Sequence, residues 1–302
     1  MLTFFSLPKA FTGHIGIIQR NAIRSWTLLE PRPEVILLGN EEGTAEVARE
    51  LGVRHVPEID CNEHGTPLLS DLFRRAELNA SSALLCYVNA DIVLLGEFAR
   101  AVERVRRELE RFLIVSRRIN VDVAEAIGFE VGWEDDLKRR VRKGGTSGDH
   151  TSIDVFVFPK GMYVQVPDFG IGRLWFDQWL IKAARQGGVP VVDVSLAAPV
   201  LHQNHDYNHV SGGVERVWRG AEAEHNFRLY GGTQHAYTLL SATHELSESG
   251  EIRRVWMRKS LFEWRARFWD LAVRRTVGAR DTLRLRRKFW RPSKSMADHG
   301  RP

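Results

Sequence analysis

The chain has 302 residues, 43% of them hydrophobic and 27% charged, with a formal net charge of +5. This is the profile of a globular protein with a sizeable core. No run reaches the ~18 to 20 apolar residues of a spanning helix, and MLTFFSLPKAF lacks the basic-then-apolar order of a secretory leader, so a cytoplasmic location is expected. Two cysteines, Cys61 and Cys86, exclude a disulfide framework and a thiolate zinc module.

The distribution of charge says more than its sum. Residues 251–302 carry 16 Lys and Arg against 5 Asp and Glu, a net of +11, which leaves 27 basic and 33 acidic residues in 1–250, a net of −6. The body is therefore acidic, and nucleic acid is not an expected partner.

The first half alternates strand-like apolar runs with amphipathic helical patterns, the signature of βαβ units on a largely parallel sheet. In chain order, Leu2–Ser6, Val35–Gly39, His55–Pro57, Leu84–Val88 and Phe112–Ser116 are predicted strands. Gly16–Leu29, Thr44–Leu51, Leu68–Ala80 and Glu97–Glu110 are predicted helices, with Gly39 and Gly52 punctuating the ends. A charged helix is expected over Glu134–Arg142 and a mobile loop over Lys143–Asp149. A strand over Asp154–Phe158, a loop over Asp168–Gly172, a helix over Trp175–Gln186 and a strand over Val189–Val194 follow.

Ligands of open α/β sheets bind outside the carboxyl ends of the strands. The run after the central strand is Asn89-Ala90-Asp91. A carboxylate among apolar residues there costs several kcal/mol unless it is paired or holds a cation, and a hard divalent ion takes one or two carboxylates together with diphosphate oxygens. A helix-capping or turn role for Asp91 is the competing reading.

A second cluster is Asp168-Phe169-Gly170-Ile171-Gly172-Arg173-Leu174-Trp175-Phe176-Asp177-Gln178. Its glycines permit tight turns beside a ligand, Trp175 offers a flat face for a sugar ring, and Asp177 falls in a helix's first turn, where the dipole favours a carboxylate. A third is His202-Gln203-Asn204-His205-Asp206-Tyr207-Asn208-His209, expected as a turn-rich loop. Imidazole favours Mn2+ over Mg2+. The glycine-containing segments 212–213, 231–235 and 242–244 suit a lid.

The order of these motifs resembles a family. A first strand ending in Ser6-Leu7-Pro8-Lys9, a helix with Arg20-Asn21-Ala22-Ile23-Arg24-Ser25-Trp26, a strand ending in Gly39-Asn40-Glu41, a helix carrying Arg74-Arg75 and an apolar strand ending in Asn89-Ala90-Asp91 are similar to GT-A glycosyltransferases, the nucleotide-diphospho-sugar transferases with family-2-like members. The resemblance implies an α/β fold: a GT-A, Rossmann-like, mixed and mostly parallel sheet flanked by helices over 1–245, with a basic helical extension over 246–302. It implies transfer of a sugar from a UDP- or GDP-linked donor to an acceptor hydroxyl on a glycan or lipid, assisted by Mn2+ or Mg2+. Asp91 and either His202 or His205 would hold the metal. Leu7, Pro8, Asn40, Glu41, Arg75 and Asn89 would frame the donor, and Asp177 would act on the acceptor. Asn89 stands where an acidic residue is common and brings no charge. Asp177-Gln178 leaves inverting and retaining outcomes open.

In the tail, Met257, Leu261, Trp264, Phe268 and Leu271 form an apolar stripe among arginines. Such a helix suits an anionic membrane surface, which would place the protein peripherally on the cytosolic face, or docks on the acidic body. Two rival functions differ in kind. A nucleotidyltransferase would carry a Gly-rich, arginine-containing loop after the first strand, which Ser6-Leu7-Pro8-Lys9 is not. A non-catalytic sugar- or protein-binding module would account for Asn89.

Overall fold

The structure, a computed structural model, describes residues 2–205, 220–232 and 236–255. The basic tail beyond 255, with its apolar stripe, lies outside the described residues, as do His209, Gly212, Gly213 and 233–235 of the expected lid.

Among the described residues twelve strands, β1 (Leu2–Ser6), β2 (Glu34–Leu38), β3 (Arg54–Val56), β4 (Leu84–Val88), β5 (Ile92–Val93), β6 (Leu113–Val121), β7 (Thr146–Ser147), β8 (Ile153–Pro159), β9 (Val191–Asp193), β10 (Val200–Gln203), β11 (His244–Leu246) and β12 (Ile252–Arg254), share one sheet. Its path is β12-β11-β9-β6-β8-β4-β1-β2-β3, with β5, β7 and β10 branching from it. Neighbours along β3-β2-β1-β4 and along β6-β9-β11 run parallel, and β8 lies reversed between β4 and β6.

The helices are α1 (Gly13–Thr27), α2 (Thr44–Leu51), α3 (Leu69–Asn79), α4 (Gly96–Glu108), α5 (Trp133–Gly144), α6 (Phe176–Gln186) and α7 (Ala221–Tyr230). β4 explains why helices cover both faces. All five of its residues are buried, and their side chains alternate between two cores. Leu84, Cys86 and Val88 join Trp26, Phe98 and Val102 of α1 and α4, whereas Leu85 and Tyr87 join Phe73 and Leu180 of α3 and α6. A third, smaller core lies beneath α5, where Leu137 meets Val93, Val121 and Leu201.

The mixed, mostly parallel α/β architecture expected from the alternation is present, and the expected strands and helices of 2–194 all appear with ends shifted by a few residues. Gly52 closes α2 in the left-handed region (φ 63°), its N–H bonded to the last turn. Gly39 (φ 85°) ends β2, where a side chain would collide with Leu7 Cδ1.

Four expectations change. β6 runs to Val121 rather than Ser116, because a bulge near buried Ser116 lets the polar stretch Arg117–Asn120 continue as a strand paired with β7 and β10. Within the expected loop Lys143–Asp149, Thr146 and Ser147 form β7. His202 stands on β10 and not in a turn-rich loop. Residues 242–243 lead into β11, which His244 opens, and the sheet continues through β12.

Trp26 ties the first helix to the sheet. It is fully buried, its ring lies 5.8 Å from that of Phe4, and its Nε1–H donates to the Ile92 carbonyl of β5 at 2.8 Å. Trp26→Ala opens a cavity and strands that carbonyl, so a loss of ~3–5 kcal/mol is expected in urea unfolding.

Candidate functional site

The carboxyl ends of β1 and β4 open onto a cavity of about 250 Å³, lined among others by Leu7, Lys9, Asn89, Asp91, Asp154 and Asp177. At one end, β4 gives way to Asn89-Ala90-Asp91, and the chain turns at once into β5 through an Ile92 N–H bond to the Asn89 carbonyl. β5 pairs antiparallel with β10, which puts Ile92 opposite His202. Gln203, completely buried, holds the turn: its backbone and side-chain N–H groups both donate to the Asp91 carbonyl, at 3.3 and 3.1 Å. Its Oε1 accepts from Asn21 of α1 at 2.9 Å.

This scaffold brings Asp91, His202 and His205 together. Asp91 Oδ2 lies 3.1 Å from His205 Nε2 and 3.6 Å from His202 Nε2, and one donor atom from each residue falls within 4.8 Å of the others. Burial alone would push the Asp91 carboxyl up. His202, the hydrogen bond from His205 and Lys9 outweigh it and hold the group well below the usual carboxylate range. Burial lowers the His202 pKa against the opposing pull of Asp91. Asp91 Oδ1 and His202 Nδ1 are both buried without a hydrogen-bond partner. One carboxylate, two imidazoles and an orphaned carboxylate oxygen suit a divalent ion of Mn2+ character.

The same cavity is lined by Asp177, in the first turn of α6. Desolvation is the main cause that pushes its carboxyl up to about 7, Asp154 adds to the rise, and the hydrogen bond from the Gln178 N–H and the Arg118 charge oppose it. The helix reaches this position through a strained step: Trp175 has φ 89°, a left-handed conformation rare for a bulky residue. α7 secures that step. Asn226, fully buried, donates to the Gly170 and Leu174 carbonyls and accepts from the Gly170 N–H, while Glu222 pairs with Arg173 at 2.7 Å.

The other sequence candidates divide. Leu7 and Asn89 line the cavity; buried Pro8 and exposed Asn40 and Glu41 are not among its lining. Arg75 is turned away, its guanidinium bonded to Asp71 at 2.6 Å and close to Asp60 and Glu58. Trp175 does not present an open face to a ligand either, since its ring packs 5.0 Å from Phe227 and 5.1 Å from Tyr230. Sequence reasoning passed over Asp154, Arg118 and Gln203. A carboxylate opening the otherwise apolar run Ile153–Pro159 was the available signal, by the same logic that singled out Asp91. Among the described residues no helix is long and apolar enough to cross a membrane.

The sheet is mostly parallel with one reversed strand between β4 and β6, and the cavity lies beyond its carboxyl ends, beside the single carboxylate that follows β4. The fold is the mixed, mostly parallel α/β sheet flanked by helices that the resemblance to GT-A transferases implies. No family model matches the sequence, and no curated protein matches it. Among solved structures, the glucosyl-3-phosphoglycerate synthase of M. tuberculosis is similar at 15% identity and a TM-score of 0.46, over 74% of this chain and 77% of that one. The S. aureus TarS segment 1–349, solved with UDP-GlcNAc, is similar at 10% identity and a TM-score of 0.47, over 76% of this chain and 65% of that one. The synthase has also been solved with Mn2+, UDP and its product, where the match has 13% identity, a TM-score of 0.40, and covers 69% of this chain and 74% of that one. These GT-A likenesses are remote; the architecture rests on strand order and register.

The raised carboxyl of Asp177 has a measurable consequence. As pH rises from the usual carboxylate pKa to about 7, the unfolded chain releases a proton that the native state keeps, so this group destabilises the fold increasingly across that window. Asp177→Asn removes the effect. Its melting temperature relative to wild type is therefore expected to rise between roughly pH 4 and pH 8, as followed by thermal denaturation.

Proposed function

We propose that the protein is a glycosyltransferase that moves a sugar from a UDP- or GDP-linked donor to an acceptor hydroxyl with the help of a divalent ion. The observation that carries this reading is one cavity lined both by Asp91 and His205, with His202 beside them, and by Asp177, whose carboxyl is pushed up to about 7. Asp91, His202 and His205 would hold Mn2+ or Mg2+, which supplies positive charge to the leaving diphosphate. Leu7 and Asn89 border the donor's place. Asp177 takes the proton of the acceptor hydroxyl at its carboxylate oxygen, and a pKa near the working pH suits a group that must accept and then release a proton. The apolar wall of Phe156, Ile171 and Phe176 keeps water from competing with the acceptor.

The catalytic unit in this reading runs to the end of β12. The basic segment that follows brings it to an anionic membrane surface, which fits a lipid-linked or membrane-bound glycan acceptor and a peripheral cytosolic location. The acidic character of residues 1–250 argues against nucleic acid as a partner.

Two measurements test the proposal. Calorimetry with UDP and GDP, with and without Mn2+, is expected to show nucleotide binding that Mn2+ strengthens; no binding in any combination defeats the reading. In a screen of donor hydrolysis over UDP-, GDP- and TDP-sugars, Asp91→Ala is expected to abolish turnover with the fold intact. Asp177→Asn should lower kcat ~10²–10⁴-fold in transfer while nucleotide binding stays near wild type.

A further inference from the structure

The run Asn89-Ala90-Asp91 brings a single carboxylate to the cavity, which leaves the cation end short of negative charge. The structure supplies one from across the sheet. β4 and β8 are antiparallel with Val88 opposite Val155, so the register carries Asn89 opposite Asp154, and the Asn89 N–H donates to the Asp154 carbonyl at 3.1 Å. The side chains meet as well: Asn89 Nδ2 donates to Asp154 Oδ1 at 2.7 Å. The amide is gripped from its other end by the Tyr87 hydroxyl, which donates to Asn89 Oδ1 at 3.2 Å. Arg118 Nη1 donates to Asp154 Oδ2 at 3.0 Å.

Asp154 is only 8% exposed and still lines the cavity. Its charge is felt at both ends, for it raises the pKa of His202 on one side and of Asp177 on the other. Arg118 acts on His202 in the opposite sense, so Asp154 also cancels a positive charge that would otherwise face the cation's place. Both effects favour a divalent ion.

We propose that Asp154 is the second carboxylate of this site, placed on the strand facing β4, and that Asn89 is the residue that positions it. The assignment rests on the reading of the cavity as a cation and nucleotide site, and it moves the missing charge from residue 89 to its cross-strand partner. A simple structural ion pair with Arg118 would not make residues 89 and 154 interchangeable. Transposition of the carboxylate therefore separates the two.

The test is Mn2+ binding to the full-length protein, followed by electron paramagnetic resonance and by calorimetry with UDP present. Asp154→Asn is expected to weaken Mn2+ binding ~10–100-fold, as loss of a group supporting a metal site does. The double variant Asn89→Asp/Asp154→Asn, which moves the charge across the same hydrogen bond, should return it to within a few-fold of wild type. Unchanged affinity in Asp154→Asn, or a double variant as weak as the single one, overturns the assignment and leaves the proposed function standing. Wild-type protein that binds no Mn2+ with or without UDP overturns both. Should circular dichroism show Asp154→Asn unfolded, the double variant decides alone: near-wild-type affinity supports the transposition and lost binding refutes it.

Discussion

An ionised carboxylate at the end of a fully apolar strand is the constraint around which this fold is arranged. Asp91 is held ionised where desolvation opposes charge. The surroundings answer with two imidazoles and a lysine ammonium, which reach it from two parts of the chain. Lys9 follows β1, and His202 lies on β10 with His205 just beyond it, so both segments must be in register with the end of β4 before the charge becomes tolerable. Gln203 and Asn21 lock that register through the backbone of Asp91 itself.

The surroundings of Asp177 follow the opposite electrostatic logic. Asp177 has a desolvated carboxyl with too few cations near it, and its proton affinity rises instead of falling. The two carboxylates thus share a cavity lining and are driven apart in acidity by their surroundings. α7 maintains the second environment by clamping the 170–175 segment, where the strained Trp175 backbone aims the start of α6.

Much of this was legible in the sequence because the signals were local. An unbroken apolar run announced β4 and therefore Asp91 at its end; Gly52 closed a helix where expected; Asp177 followed a glycine-containing turn. What stayed hidden depended on pairing between distant strands. The polar half of β6 gives no periodic signal, since Arg117, Arg118 and Asn120 are strand residues only because β7, β8 and β10 pair with them. Arg75 illustrates the converse: its type and place in the chain suited a ligand, but a carboxylate one helical turn before it, Asp71, claims it first. Trp175 likewise has the composition of a sugar platform and the neighbours of a core residue.

The bulge near Ser116 lets β6 serve two masters. Before it, residues 113–115 pair with β8 and β9 in the centre of the sheet; after it, residues 118–121 pair with β10. The strand that presents His202 is thereby grafted onto the central scaffold instead of hanging from surface loops. Sequence drift in the loops around the cavity can then proceed while the Asp91, His202 and His205 cluster keeps its dimensions, because the strand under it is anchored in the sheet.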